Sequence, residues 1–114
     1  MSSPRPSRQS TLKARASLFA ALGDETRLAV LGRLCNGERQ SISRLTQGTR
    51  LSRQAVTKHL GVLARAGVVR SLRSGRESLF EFEPRPIEEA RRYLDRVSRQ
   101  WDDALARLKA LVEE

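Results

Sequence analysis

Residues 51–69, LSRQAVTKHLGVLARAGVV, carry the strongest structural signal in this 114-residue chain. Their apolar residues recur at spacings of three and four, the repeat of one face of an α-helix, and the polar residues between them include no acid. Ser52 is a suitable N-cap and Gly67 a suitable stop, so we predict a helix over residues 52–66. Its buried face should contain Ala55, Val56, Leu60, Leu63 and Ala66, and its outer face Arg53, Gln54, Thr57, Lys58 and Arg65.

A shorter helix is predicted just before this one. It begins near Ser41, directs Ile42 and Leu45 inward, and is followed by a turn that contains Gly48. Two helices joined by a tight turn with a glycine, within about residues 41–66, form the helix-turn-helix arrangement.

The first part of the chain is predicted to be a tail followed by two helices. Residues 1–11 are rich in proline, serine and arginine, so we expect a disordered basic tail. A helix over residues 11–22 follows, Gly23 breaks it, and Asp24 is a plausible N-cap for the next. The apolar face of the first helix contains Leu12, Ala16, Phe19 and Ala20, and the buried stripe of the second contains Leu28, Leu31, Leu34 and Cys35.

A β-hairpin is predicted within about residues 68–83. Residues 69–73 and 77–83 have the alternating character of strands, and Ser74 and Gly75 form the turn. A two-stranded hairpin is marginal on its own, so one face must pack on the helices. That face should hold Phe80 and Phe82, and Arg70, Arg73 and Arg76 should flank or occupy the tip.

The last predicted helix, residues 87–112, has the heptad pattern of a coiled-coil seam. It would be about 39 Å long at about 1.5 Å per residue, which is too long for so small a domain to cover. We therefore predict that part of it meets a second copy of the chain; the alternative is a helix lying back on its own core. The seam contains Ile87, Ala90, Leu94, Val97, Trp101, Ala104, Leu108 and Leu111, and the predicted dimer interface contains Leu12, Phe19, Leu94, Val97, Trp101, Leu105 and Leu108.

Positive charge is concentrated in one part of the chain. The formal net charge is +9, and residues 39–76 contain nine Lys or Arg and no Asp or Glu. A solvated surface usually mixes both signs, so this segment indicates a polyanionic partner. Random enrichment in arginine is the alternative, but it does not explain why the acids gather in residues 77–114.

The outer face of the helix over residues 52–66 has the chemistry needed to read DNA. A helix fits the major groove, where Arg can bond guanine, Gln can bond adenine, and Thr can contact a base edge or a phosphate. The helix N-terminus could hold a phosphate, and the hairpin arginines would reach the neighbouring backbone or minor groove. His59 is interpreted as a packing or phosphate-contacting residue rather than a catalytic base. The predicted DNA-contacting residues are Ser52, Arg53, Gln54, Thr57, Lys58, His59, Arg73 and Arg76.

Three segments, LFAALGDETRLAVLGRL, LSRQAVTKHLGVLARAGVV and RSGRESLFEF, resemble the ArsR/SmtB-type winged-helix repressors. The resemblance covers about residues 12–114. It implies a mainly α-helical fold with a small β-hairpin (α+β), in which residues 52–66 form the recognition helix of a winged helix-turn-helix and residues 74–76 form the wing tip. It also implies a symmetric cytoplasmic homodimer built from the first and last helices. Such a protein would be a bacterial or archaeal regulator that binds double-stranded operator DNA, most often a repressor of its own operon.

The sequence departs from the metal-sensing members of that family. The first helix of the helix-turn-helix reads SISRLTQG, without a cysteine pair, and residues 87–112 contain acids but no histidine. Zinc favours nitrogen or sulfur ligands, so we predict no metal and no cofactor. Cys35 is the only cysteine, which leaves no internal disulfide or dithiol switch, and we expect it to be a small core residue.

The sequence favours a dimeric, sequence-specific DNA-binding repressor over two alternatives. One is a ligand- or thiol-responsive sensor of the same fold, acting through the region of Cys35 or Trp101, with an inducer of unknown chemistry. The other is a basic nucleic-acid-binding module without sequence preference. An enzyme is not expected, because no nucleophile–base pair, phosphate loop or metal cluster is recognisable. The N-terminus lacks the apolar segment of a secretory signal and no apolar run could span a membrane, which favours a cytoplasmic protein.

Overall fold

The secondary structure is mostly helical, with three short strands in the middle of the chain. The computed structural model describes the backbone of residues 8–113 and the side chains of residues 11–113. Along that part of the chain the elements are α1 Arg8–Leu22, α2 Glu25–Leu34, β1 Gln40–Ser41, α3 Ile42–Thr46, α4 Arg53–Arg65, β2 Val69–Ser74, β3 Glu77–Phe82 and α5 Arg85–Glu113.

Side-chain caps fix where three of the helices begin. The Asp24 carboxylate accepts a hydrogen bond from the Arg27 amide at 2.8 Å and starts α2. The Ser52 hydroxyl accepts from the Ala55 amide at 3.1 Å and starts α4. Ser41 does the same for α3, by accepting from the Arg44 amide at 3.2 Å. The caps predicted at Asp24 and Ser52 are confirmed, because each satisfies an amide that has no partner within its helix.

The three strands form one antiparallel sheet in the order β1-β3-β2. Ser74 pairs with Glu77, so Gly75 and Arg76 make the two-residue turn of the hairpin, one residue later than predicted. Gly75 has φ of 62°, a left-handed conformation that favours glycine at the first central position of such a turn. Strand β1 was not predicted; it adds only the pairs Gln40–Phe80 and Ser41–Leu79.

The core is aliphatic and lies between α2, α4 and the sheet. On α4, Val56, Leu60 and Leu63 are at most 1% exposed, so the buried face predicted for this helix is confirmed. Phe80 and Phe82 pack against the core from β3, as predicted. The remaining buried hydrophobic residues of the cluster are Leu18, Val30, Leu31, Leu34, Leu45, Val68, Val69 and Ala90.

Helix α1 begins earlier than expected and packs through a different face from its predicted apolar one. Residues 8–11 belong to the helix, whereas we assigned them to the tail; residues 1–7 of that predicted tail lie outside the described residues. The helix packs on the core through Leu18 and Ala21, which are nearly fully buried. Its predicted apolar face, which includes Leu12 and Phe19, is exposed within the chain.

The prediction that Cys35 is a core residue is wrong. Helix α2 buries Val30, Leu31 and Leu34, and Cys35 follows as the C-cap, where the chain leaves the helix. Leu28 was predicted in the same buried stripe. It lies seven residues before Cys35, on the same side of the helix, and both residues are exposed. Although Cys35 is exposed, partial desolvation of its thiol raises the pKa, so the thiol is mainly protonated near neutral pH.

Helix α5 has 29 residues and is therefore about 43 Å long. It contacts the core only near its beginning, where Ala90 is buried and Ile87 packs against the cluster. Neither α5 nor any other helix in the described part of the chain is long and apolar enough to cross a membrane.

Candidate nucleic-acid interface

Helix α4 presents an exposed polar surface beside its buried stripe. Arg53, Gln54, Thr57 and Lys58 are all exposed, and they occupy the first two turns of the helix. The core contacts of Val56 and Leu60 fix the rotation of the helix about its axis. The four predicted base- or phosphate-contacting side chains are therefore held on one outward face of a rigid element.

Two hydroxyls on this face already have local partners. The Ser52 oxygen accepts the capping hydrogen bond, so its own proton remains available for an acceptor such as a phosphate. The Thr57 hydroxyl donates to the Arg53 carbonyl at 2.7 Å. Thr57 therefore offers a ligand an acceptor oxygen and a methyl group rather than a donor proton.

His59 differs from the other predicted contacts because it is half-buried. Its Nδ1 atom is buried without a hydrogen-bond partner in the described part of the chain. The ring lies near the start of α2: the pKa of Asp24 is lowered mainly by the Arg27 amide hydrogen bond, with smaller contributions from the charges of Arg27 and His59. This position favours the packing role of His59 over direct contact with DNA.

The turn before α4 is held by an arginine that the sequence analysis did not single out. Nη1 of Arg33, in α2, donates hydrogen bonds to the carbonyl oxygens of Leu45 at 2.9 Å and Gln47 at 2.7 Å. These carbonyls belong to the end of α3, where helical partners are missing. Arg33 thus fixes the turn that sets the position of α4, although no local sequence pattern marks it.

The hairpin β2–β3 places its tip beside the N-terminus of α4. Arg53 and Arg76 line the same cleft, of about 230 Å³, together with side chains from the start of α3 and from β3. Arg73 is exposed on β2 close to the tip. Ser43, which also lines the cleft, was not predicted as a site residue; its only signal is its place two residues after the N-cap of α3. The cleft residues are Ser41, Ile42, Ser43, Arg53, Arg76, Glu77 and Ser78.

Acids from outside the acid-free segment neutralise part of its charge. Glu81 accepts hydrogen bonds from Arg39 and Arg70, and Glu38 lies 3.8 Å from Arg44. The hydrogen bonds from Arg70 and Arg39 lower the pKa of Glu81, so this carboxylate stays ionised near neutral pH. Among the described side chains, six of the nine basic residues form no ion pair, and these are Arg50, Arg53, Lys58, Arg65, Arg73 and Arg76.

A second surface, on α1 and α5, is apolar and uncovered. Its most exposed large residue in the predicted interface is Trp101, at 65% exposure, and Val97 is half-buried. A row of this length exceeds the scattered apolar residues of an ordinary protein surface. The other exposed members of the predicted interface are Leu12, Phe19, Leu94, Leu105 and Leu108, and Leu111 and Val112 continue the row.

The described residues contain no group of three or more His, Cys, Asp or Glu side chains that could hold a metal ion.

An amphipathic second helix behind a tight turn, followed by a basic hairpin, defines a winged helix-turn-helix protein. The sequence model of a protein family described as a helix-turn-helix domain matches residues 14–71 of the chain. The chain is 31% identical over 102 residues to the HTH-type transcriptional repressor SmtB of Mycobacterium tuberculosis, covering 90% of this chain and 73% of that protein. It is 39% identical to an ArsR-like transcriptional regulator from Rhodococcus, with a TM-score of 0.79, covering 89% of this chain and 94% of that chain.

A more distant solved structure shares the fold. It is a homodimeric winged helix-turn-helix DNA-binding domain from Mycobacterium bovis, a possible ArsR-family regulator, at 20% identity and a TM-score of 0.63, covering 90% of this chain and 92% of that one. From the family match and the relatives above 30% identity, the chain belongs to the ArsR/SmtB family of winged helix-turn-helix transcriptional regulators. The family and the fold predicted from the sequence are confirmed.

Proposed function

We propose that the chain is a homodimeric repressor that reads an inverted DNA site through α4 and clamps the flanking backbone with the β2–β3 hairpin. The observation that carries this proposal is the amphipathic character of α4: its core residues are almost completely buried, while Arg53, Gln54 and Lys58 are exposed to solvent. Surface helices normally carry acids among their bases, and this one carries none.

The division of labour on DNA follows from the chemistry of each side chain. Gln54 and Arg53, in the first turn of α4, are suited to bidentate contacts with adenine and guanine in the major groove. Lys58 and Ser52 would contact base edges or phosphates. Arg73 and Arg76 would contact the backbone or minor groove beside the site, and His59 would support the helix from its half-buried position.

The homodimer would form through the apolar surface of α1 and α5. Leu94, Trp101, Leu105 and Leu108 are each at least half exposed, and nothing in the described part of the chain covers them. A twofold axis along α5 would bury these rows against each other, with Leu12 and Phe19 at the edge. Two α4 helices related by that axis would enter successive major grooves, so the half-sites would be inverted and separated by about one helical turn or a small multiple of it.

Repression is proposed by analogy with the relative named SmtB, which is described as a repressor. A dimer bound over a promoter would exclude RNA polymerase by occupying the same DNA. The self-regulation typical of the family would place that site upstream of the chain's own coding sequence.

The test is selection of duplexes from a randomised DNA library by the purified full chain, followed by fluorescence anisotropy on the selected duplex and on its scramble. The proposal expects an enriched inverted repeat whose binding withstands added salt better than binding to the scramble, because base contacts add to the salt-dependent phosphate contacts. Absence of enrichment, with equal affinities that salt abolishes together, would indicate a non-specific basic module instead.

The stoichiometry gives a second, independent check. Sedimentation should show a dimer at micromolar concentration and two chains per selected duplex. A monomer that binds a single half-site would contradict the homodimeric part of the proposal while leaving the role of α4 intact.

A further inference from the structure

Arg39, Glu81 and Arg70 form a row of charges across the sheet, with Glu81 on β3, Arg70 on β2 and Arg39 directly before β1. The carboxylate of Glu81, on the central strand β3, accepts a hydrogen bond from Nε of Arg39 at 2.9 Å through one oxygen. Its other oxygen accepts from Nε of Arg70 at 2.9 Å and also from Nη2 of Arg70. One carboxylate therefore binds the arginines on both sides of β3, and each arginine bonds a different carboxylate oxygen.

The register of the sheet places these three residues side by side, so the row is set by the backbone and not by the reach of long side chains alone. Arg70 is paired directly with Glu81 across β2 and β3. Gln40 is paired with Phe80, so Arg39 lies opposite Glu81 on the other side. The row lies on the face of the sheet away from Phe80 and Phe82, which pack on the core.

Glu81 is the best protected member of the row. Its side chain is only 15% exposed, against 59% for Arg39 and 61% for Arg70. A carboxylate that is largely covered and bonded on both oxygens is held in one geometry, unlike a solvated surface pair.

The segment on which Arg39 lies connects the hairpin to the helix-turn-helix. Strand β1 has only two paired residues, so its backbone attachment to β3 is short. Gln40, buried in β1, donates through Nε2 to the Arg33 carbonyl of α2, and Ser41 is the N-cap of α3. Residues 39, 40 and 41 thus bind in turn to the hairpin, to α2 and to α3.

We propose that Glu81 is a positioning residue for DNA binding: Arg70 orients its carboxylate within the hairpin, and its contact with Arg39 locks the hairpin onto the helix-turn-helix, and so sets where Arg76 lies relative to α4. This inference rests on the proposed function, in which Arg76 contacts the DNA backbone. Arg53 and Arg76 line the same cleft, so a shift of the hairpin would change the position of Arg76 relative to Arg53.

The direction in which one substitution changes the DNA affinity distinguishes a positioning role of Glu81 from a simple effect of its charge. DNA is a polyanion, so removal of an acid that merely adds negative charge should leave DNA binding unchanged or slightly strengthen it. Glu81→Gln should instead weaken binding to the selected duplex by roughly threefold to tenfold, because a misplaced hairpin loses part of a charge-assisted phosphate contact. The slope of log affinity against log salt should fall by up to about one.

The matched control is Glu88→Gln, on the first turn of α5. It makes the same change of net charge at an exposed acid that forms no ion pair among the described side chains. Its affinity should equal or slightly exceed that of the wild type. In an Arg76→Ala background, Glu81→Gln should cause little further loss, since the contact it positions is already absent.

If Glu81→Gln is too unstable to purify, Arg70→Lys tests the same point with the net charge unchanged, because lysine cannot reproduce the two-donor contact. Glu81→Gln or Arg70→Lys proteins that are folded and bind as tightly as the wild type would overturn the inference, and so would an undiminished effect of Glu81→Gln in the Arg76→Ala background. A wild-type chain without any preferred duplex would instead overturn the proposed function, so the two failures are distinguishable.

Discussion

The guanidinium of Arg33 in α2 donates a hydrogen bond of 2.7 Å to the carbonyl oxygen of Gln47, the residue that follows α3. The same nitrogen donates to the Leu45 carbonyl at 2.9 Å. One side chain from α2 therefore closes the end of α3 and holds the turn that leads into α4. This contact, together with the core, therefore sets the orientation of α4.

Arg33→Ala should destabilise the fold. Two carbonyl oxygens would lose a charged donor, which costs about 1–3 kcal/mol in the free energy of unfolding. Urea denaturation measures the cost, and hydrogen exchange should show faster opening in the turn around Gly48. Arg44→Ala is the control, because Arg44 is exposed and its ion pair with Glu38 is long, at 3.8 Å. Equal losses of stability in the two variants would contradict a special role for Arg33.

Gln54→Ala should relax base preference while leaving most of the affinity for scrambled DNA intact. A good bidentate contact contributes about 1–3 kcal/mol of discrimination between bases, and Gln54 is exposed in the first turn of α4. Competition between the selected duplex and its single-base variants measures the change at each position. If discrimination is unchanged at every position, the assignment of the reading face to this side of α4 is wrong.

Arg76→Ala should weaken binding to all duplexes by a similar factor and lower the salt slope by about one, because the proposed contact is with phosphate. Anisotropy titrations at several salt concentrations, on selected and scrambled duplexes, give both quantities. Arg85→Ala, an exposed arginine at the start of α5, serves as the control and should leave the slope unchanged. A loss confined to the selected duplex would show that Arg76 reads bases instead.

Leu105→Lys should dissociate the dimer without unfolding the chain. Leu105 is 57% exposed within the chain, so a lysine is solvated in the monomer but would carry a charge into the apolar interface. Sedimentation should show a shift toward monomer. Leu28→Lys, at 49% exposure on α2 and outside the proposed interface, should leave the stoichiometry unchanged. Equal behaviour of the two variants would place the dimer contact elsewhere.

Acid should remove the contribution of Glu81 to stability. The hydrogen bonds from Arg70, and then those from Arg39, hold its pKa below the ordinary value of 4.5. Because the folded-state pKa is lower than the unfolded one, the stabilisation is complete above the ordinary value and is lost as the pH falls through the folded-state pKa. Thermal melts of wild type and Glu81→Gln should differ at neutral pH and converge in acid. A difference that persists in strong acid would mean that the loss does not come from the ionised carboxylate.

The sequence predicted the parts of the fold whose signals are local. The faces of α4, its cap at Ser52 and the packing of Phe80 all follow from periodicity over a few residues, and each is confirmed. Strand β1 was missed because it has two residues, and it exists only through pairing with residues 79 and 80. Without β1, nothing in the sequence brings Arg39 to Glu81.

The misplaced residues have equally physical reasons. Cys35 follows the leucines of α2 at plausible helical spacing, but the helix ends at Leu34, and Val30 is buried alongside the predicted Leu31 and Leu34. Arg33 was overlooked because its partners are backbone carbonyls, which carry no residue-specific signal. Of the predicted DNA contacts, the structure exposes all except the half-buried His59; which of them touch DNA stays a prediction.

Ala90 is the last residue of α5 that is buried in its own chain, and more than twenty helical residues follow it. Most of the stability of a helix in a protein comes from packing of its amphipathic face, so the proposed partner would supply much of the order of its far half. Association and completion of the helix would then be one cooperative event. Dilution would fray the ends of both copies at once, and ellipticity would fall with protein concentration at constant temperature. The cellular abundance of the chain would thereby set the fraction competent to bind DNA, without any small molecule acting as a signal.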